Sequence, residues 1–189
     1  MTQANKGANI LAPFILQKYI GRIHMSKTVF DYEIRKLNDS FFEKYNKKEY
    51  PEIEVKKGRP YNFILFEIRY NCFVAAPFRT NIKHENSFKF EGCKRNKFGT
   101  SGIDYSKILI IEDPNYIGDV SKIDYDEHSI LVKNIVTIAT EINDYIDDYK
   151  NHISGIKKMG KNKFRNKYKF STLKYFHREL GLEQSILNI

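Results

Sequence analysis

Tyr61-Asn62-Phe63-Ile64-Leu65-Phe66-Glu67-Ile68 and Cys72-Phe73-Val74-Ala75-Ala76 are two runs of aromatic and aliphatic residues separated by Arg69-Tyr70-Asn71. Runs of this length and composition read as buried strands. The three residues between them fit a tight hairpin turn, with Asn71 tolerating a left-handed backbone. An antiparallel pair at the centre of the chain makes a sheet its organising element. Upstream, Phe30, Tyr32 and Ile34 alternate with Asp31, Glu33 and Arg35, the period of a half-buried strand. Asn38-Asp39-Ser40 offers cap residues to a short helix over Phe41-Phe42-Glu43-Lys44-Tyr45. Residues 47–60 form a polar connection punctuated by Gly58 and Pro60. Downstream, residues 87–90 read as a third strand of this sheet. Residues 107–111, stopped by Glu112-Asp113-Pro114, read as a further buried strand.

Beyond the strands the period changes. Leu131, Ile135, Ile138, Ile142, Tyr145, Tyr149 and Ile153 follow the 3–4 spacing of one apolar helical stripe. A long helix near 126–154 is therefore predicted, capped by Asp124 or Asp126, stopped by Gly155, and turned to the core. A final short helix is expected from Ser171-Thr172, with Leu173, Phe176 and Leu180 on one side and Gly181 as its stop. Strands with helices of this kind make an α+β protein. Residues 25–189 read as a single domain. Residues 1–24 are low in charge and read as an extension with a short helix around 10–20, and Met25 as an alternative start. The apolar run at 10–16 is short and broken by Pro13, and no segment has the roughly 18–20 apolar residues that cross a bilayer. A soluble, cytoplasmic protein with no membrane partner is the expectation.

The chain has 189 residues, is 41% apolar and carries a formal charge of +9. That is enough length for one sizeable core, and the basic excess favours a polyanionic partner, nucleic acid ahead of membrane. Lys far outnumbers Arg, and Asn, Ile and Tyr are abundant, so genome bias accounts for part of the charge. The densest basic segment is 156–169, with Lys157, Lys158, Lys161, Lys163, Arg165, Lys167 and Lys169 interleaved with Phe164 and Tyr168. It is expected as a loop or fraying element that contacts RNA: the cations neutralise phosphates and the rings stack on unpaired bases. Cys72 and Cys93 make neither a zinc motif nor a disulfide framework, and both are expected as reduced thiols. His24, His84, His128, His152 and His177 lack metal-ligand spacing, and no phosphate-binding or dinucleotide glycine motif is present, so neither metal nor cofactor is expected.

The chemistry that remains lies in residues 76–107. Pro77-Phe78-Arg79-Thr80-Asn81-Ile82-Lys83-His84 supplies two cations to grip a phosphate, a hydroxyl to donate to a phosphoryl oxygen and an imidazole to move protons. RNA carries its own nucleophile, the 2′-hydroxyl, so aligning it with the phosphate and stabilising the charge that builds there is enough for cleavage. Ser101-Gly102-Ile103-Asp104-Tyr105-Ser106-Lys107 follows. Ser101-Gly102 reads as a turn, and Asp104 can pin a neighbouring amide. Lys107, if it returns beside Arg79 and Lys83, is lowered in pKa by like charge and becomes a proton donor. The plainer alternative for both segments is polar residues facing water at strand ends.

These segments resemble the toxins of type III toxin–antitoxin systems, and in particular the TenpN branch of the ToxN/AbiQ-like superfamily. The likeness lies in residues 76–84 and 101–107, then Tyr116-Ile117-Gly118 and Lys169-Phe170-Ser171-Thr172-Leu173, and covers roughly 30–180. It implies a metal-independent endoribonuclease that cuts mRNA, leaves a 2′,3′-cyclic phosphate and arrests growth, often in defence against phage. It implies a small repetitive, pseudoknot-like antitoxin RNA that the toxin processes and that inhibits it in a closed toxin–RNA assembly. It also implies a compact, twisted antiparallel sheet with a barrel core of the Kid/MazF kind. On this resemblance Thr80, Lys83, Arg79, Ser101, Lys107 and His84 are candidate catalytic residues. Lys83 and Arg79 would polarise the phosphate, Thr80 would donate to a non-bridging oxygen, Lys107 or His84 would handle protons, and Ser101 and Asp104 would shape the pocket. Asn81, Asp104, Tyr105 and the basic residues of 157–169 are candidate RNA contacts. Two rival readings stand beside it: a non-catalytic RNA- or DNA-binding regulator using the same basic surface, and a small structural domain whose charge only reflects its genome.

Overall fold

The structure is a computed structural model that describes residues 24–25, 28–29, 32–54, 61–68 and 72–183. The expected N-terminal helix, the start of the first strand at residues 30–31, the 69–71 turn and residues 55–60 of the polar connection lie outside the described residues. Two short strands, β1 (His24–Met25) and β2 (Thr28–Val29), pair with each other. Next come β3 (Tyr32–Leu37), helix α1 (Asp39–Lys44), β4 (Phe63–Ile68) and β5 (Cys72–Arg79). They are followed by β6 (Ser87–Lys89), β7 (Gly102–Asp104), β8 (Leu109–Ile111) and β9 (Ile117–Val120). Helices α2 (Tyr125–Ile153) and α3 (Lys161–Tyr168) come last, with a 3-10 turn at Thr172–Tyr175.

The α+β class holds. β3 to β9 form one seven-stranded antiparallel sheet in the order β6-β7-β5-β4-β3-β9, with β8 also paired to β5. The sheet is open among the described residues: β6 and β9 end it and do not pair. The 61–76 hairpin is its centre, with β4 and β5 in register from Phe63↔Pro77 to Ile68↔Cys72. Phe63, Ile64, Leu65 and Phe66 are all buried, so β4 is covered on both faces, which explains its continuous apolar run. Residues 87–90 enter this sheet at its edge, against β7 and not against the hairpin.

β5 is the strand that builds the site. Its first part, Phe73 to Ala75, pairs with β8, and its end, Phe78 and Arg79, pairs with β7. Pro77 sits in the gap between these two partners. Phe78 N–H donates to Asn62 O on the β4 side, so the missing N–H of Pro77 falls on the side where no ladder bond is made. Gly102, expected in a turn, is instead the first residue of β7, paired with Lys89 of β6 so closely that a Cβ there would lie 2.0 Å from Phe88 O.

The long helix matches its stripe: Leu131, Ile135, Ile138, Ile142, Tyr145 and Tyr149 are buried, and Gly155 ends it at φ 77°. The basic segment departs from expectation, because α3 occupies its second half where a loop was predicted. Its aromatic residues explain why. Phe164 stacks on His152 at 3.7 Å between centroids, and Tyr168 is buried against Tyr145 and Tyr149. Lys167 also reaches Asp148 at 2.9 Å. Phe164 and Tyr168 are therefore anchors to α2 rather than free stacking surfaces. No helix among the described residues is long and apolar enough to cross a membrane.

Candidate active site

Asp104 is the buried centre of the site. Its carboxylate has no exposed surface and ends β7, directly beside the end of β5. A charge out of water needs partners, and Asp104 has four contacts. Arg79 donates to Oδ2 at 2.6 Å, Ser106 donates to Oδ1 through its amide at 2.9 Å and its hydroxyl at 2.6 Å, and His84 Nε2 faces Oδ1 at 3.4 Å. The expected pinning of a neighbouring amide by Asp104 is thus the Ser106 contact. Arg79 also meets Glu54 Oε1 at 2.8 Å, so carboxylates engage its guanidinium from two sides.

The loop after β5 is held in shape. Asn81 takes a left-handed backbone, φ 60°, and rests on Gly99, where a Cβ would come within 2.9 Å of the Asn81 Cβ. Ile82 is buried and its amide donates to Thr100 O. Between these anchors Thr80, Asn81 and Lys83 are exposed. His84 keeps 41% of its side-chain surface, and its Nδ1 is enclosed without a hydrogen-bond partner.

Lys107 joins from the 3-10 turn Tyr105–Lys107. Its amine donates to Phe170 O at 2.9 Å. Burial pushes its pKa below the ordinary lysine value; Asp104 and Glu54 oppose that shift and Arg79 adds to it. The main cause is therefore desolvation, with like charge secondary. The structure brings Arg79, His84, Asp104 and Lys107 together, with Thr80 and Lys83 on the adjoining loop.

Other candidates lie elsewhere. Ser101 is buried in a separate network, its hydroxyl donating to Asn96 Oδ1 at 3.1 Å, 3.3 Å from Cys93 Sγ and near Glu127, whose pKa it helps to lower. It is not placed to shape the Asp104 pocket. Asp104 and Tyr105 are corrected as RNA contacts, because both are buried; the Tyr105 hydroxyl is spent on Glu141 at 2.7 Å. Lys157, Lys158, Lys161, Lys163, Arg165 and Lys169 are exposed and remain available to a polyanion, whereas Lys167 is partly covered beside Asp148. Glu54 was missed by sequence reasoning. It lies in a polar connection with no motif, and only its contact with Arg79 marks it. Among the described residues no group of three or more His, Cys, Asp or Glu side chains could hold a metal ion.

Comparison with known proteins adds no assignment: no family model, curated protein or solved structure matches this chain.

Proposed function

We propose that the protein is an endoribonuclease that cleaves RNA without a metal ion. The observation that carries this reading is the His84–Asp104 pair near the partly buried Lys107, at the foot of a loop that exposes Thr80 and Lys83. With Nε2 facing a carboxylate, the imidazole keeps its proton there and presents the Nδ1 lone pair as a base. Nδ1 is enclosed in this structure, so the proposed step requires His84 to shift before a 2′-hydroxyl can meet it. In the proposed step Nδ1 takes the proton of the 2′-hydroxyl and the 2′-oxygen bonds to phosphorus. The bond from phosphorus to the 5′-oxygen then breaks, and the Lys107 ammonium protonates that leaving oxygen. Its lowered pKa makes the amine a readier donor than an exposed lysine. Lys83 and the Thr80 hydroxyl stabilise the charge that gathers on the non-bridging oxygens. The products are a 5′-hydroxyl and a 2′,3′-cyclic phosphate.

The wider reading rests on the resemblance of residues 76–84, 101–107, 116–118 and 169–173. In it the protein is the toxin of a type III system, active on cellular mRNA and on the precursor of its own repetitive antitoxin RNA, arresting growth in defence against phage. That antitoxin RNA would inhibit it in a closed toxin–RNA assembly on the exposed cations of 157–169. A likeness of the sheet to the Kid/MazF-type barrel core belongs to the same reading.

One observation favours a second reading, a non-catalytic RNA- or DNA-binding regulator: Arg79 is engaged by two carboxylates and so has little charge left for a phosphate. Incubating the purified protein with RNA in chelator separates the two. Fragments ending in cyclic phosphate, lost in Thr80→Ala and Lys83→Ala, support the enzyme. RNA left uncut at every protein concentration supports binding alone. A tandem repeat array followed by a terminator directly upstream of the gene would support the toxin reading.

A further inference from the structure

We propose that Phe170 is a stacking platform for one unpaired RNA base next to the scissile phosphate, which makes single-stranded RNA the substrate class; this rests on the endoribonuclease reading above. Phe170 keeps 60% of its surface exposed, so ring surface is open to a ligand. The other rings of its segment, Phe164 and Tyr168, turn inward to α2, so Phe170 alone of the three is presented outward.

Its mounting is rigid. On one side Lys169 N–H donates to Arg165 O at the end of α3. On the other, Ser171 and Thr172 are buried, Ser171 N–H donates to Tyr168 O, and the Thr172 hydroxyl donates to Ile108 O. A ring held in water by an ordered backbone loses little further freedom on binding. It is also tied to the acid–base cluster, because the Phe170 carbonyl accepts the Lys107 amine at 2.9 Å. The backbone that carries the ring is thereby fixed to the proposed proton donor. The Lys169 ammonium stands 4.9 Å from the ring centroid, which leaves the opposite face for a base and a cation for its phosphate. Tyr125 and Ile156 are also exposed, at 88% and 79%, but of the three it is Phe170 whose backbone is hydrogen-bonded to Lys107. A duplex keeps its base faces stacked, so a platform of this kind selects unpaired nucleotides.

The test uses fluorescence anisotropy of the full chain with a single-stranded 2′-O-methyl oligonucleotide, which binds and is not cut. Phe170→Ala should weaken binding roughly 5- to 150-fold, the range of one base–aromatic stack, and Phe170→Trp should restore it. The loss should vanish when one nucleotide of the oligonucleotide is made abasic, and duplex RNA should bind both proteins alike. Unchanged affinity in Phe170→Ala overturns the proposal. So does an equal loss on every abasic oligonucleotide and on duplex. Cleavage of unmodified RNA is scored separately: Phe170-dependent binding without cleavage overturns the catalytic reading and keeps the platform, while cleavage with unaltered KM in Phe170→Ala does the reverse.

Discussion

Ser101 and Asp104 stand three residues apart at β7, both almost fully buried, on opposite faces of the chain. Each anchors a polar network, and the two differ in how they end. The Ser101 network closes on itself. Ser101, Asn96 and Cys93 bond one another and Phe90 O, and Glu127 beside them pairs with Arg95 at 3.6 Å. The Asp104 network opens outward. It reaches part-exposed Arg79 and His84, on the segment that also exposes Thr80 and Lys83, leaves one imidazole nitrogen without a partner and lies near Lys107, whose charge burial disfavours. A closed network specifies a fold. An open one spends stability on groups that can act on something else.

The largest test of this contrast is Asp104→Ala. It leaves Arg79 with Glu54 alone and removes the partner of His84 and Ser106. Breaking a buried ion pair from one side costs about 3–5 kcal/mol, and urea unfolding should show a loss of that size together with the end of RNA cleavage. A loss below about 1 kcal/mol would mean that Asp104 is not the anchor of the site.

Thr80→Ala and Lys83→Ala probe the open end. Both residues are exposed and neither makes a hydrogen bond or ion pair among the described residues, so stability should move by no more than about 0.5 kcal/mol. Cleavage should fall roughly 10²- to 10³-fold for each, the effect of removing one donor to a developing negative charge. Variants that fold and still cut at the parent rate would return this loop to a solvated strand end.

Lys107 gives a smaller and more specific effect, on pH. Its amine is held below the ordinary lysine value, so the alkaline limb of kcat/KM should set in at lower pH than an exposed lysine would give. Lys107→Arg, whose guanidinium stays protonated, should move that limb upward. A limb that stays in place assigns the proton to another group.

The contrast was only half legible in the sequence. The central hairpin and the long helix could be read because each carries its own period: β4 is apolar throughout, and α2 repeats at 3–4. Thr80, Lys83, Arg79 and His84 stand out as candidates because they crowd one short segment. The identity of their partners could not. Whether Asp104 or Ser101 meets Arg79 depends on which face of β7 turns to the end of β5, and neither residue type encodes that. Glu54 becomes visible only when β5 brings Arg79 to it. The α3 helix is not legible in the sequence because its charge is local while its anchors, Tyr145, Tyr149 and His152, lie on another helix.

Ser101→Ala is the mildest test and the one that separates the two networks most sharply. The hydroxyl gives one bond to Asn96 Oδ1, which keeps the Ser101 amide at 2.9 Å, so no buried acceptor is orphaned there. A loss of about 1 kcal/mol follows, with cleavage per folded molecule unchanged. The loss should depend on pH through Glu127. Burial raises the pKa of that carboxyl above its unfolded value, and the Ser101 hydroxyl, like Arg95, holds it down. A raised carboxyl favours folding below its unfolded pKa and loses that contribution as pH rises through the folded pKa. Removing the hydroxyl raises the folded pKa further, so the variant should be penalised more at neutral pH, where Glu127 must ionise, than in acid, where it is protonated. Urea midpoints of Ser101→Ala and the parent should therefore converge as pH falls. Midpoints that diverge in acid would show that Ser101 does not support the Glu127 carboxylate and that its network is not closed in the way the geometry describes.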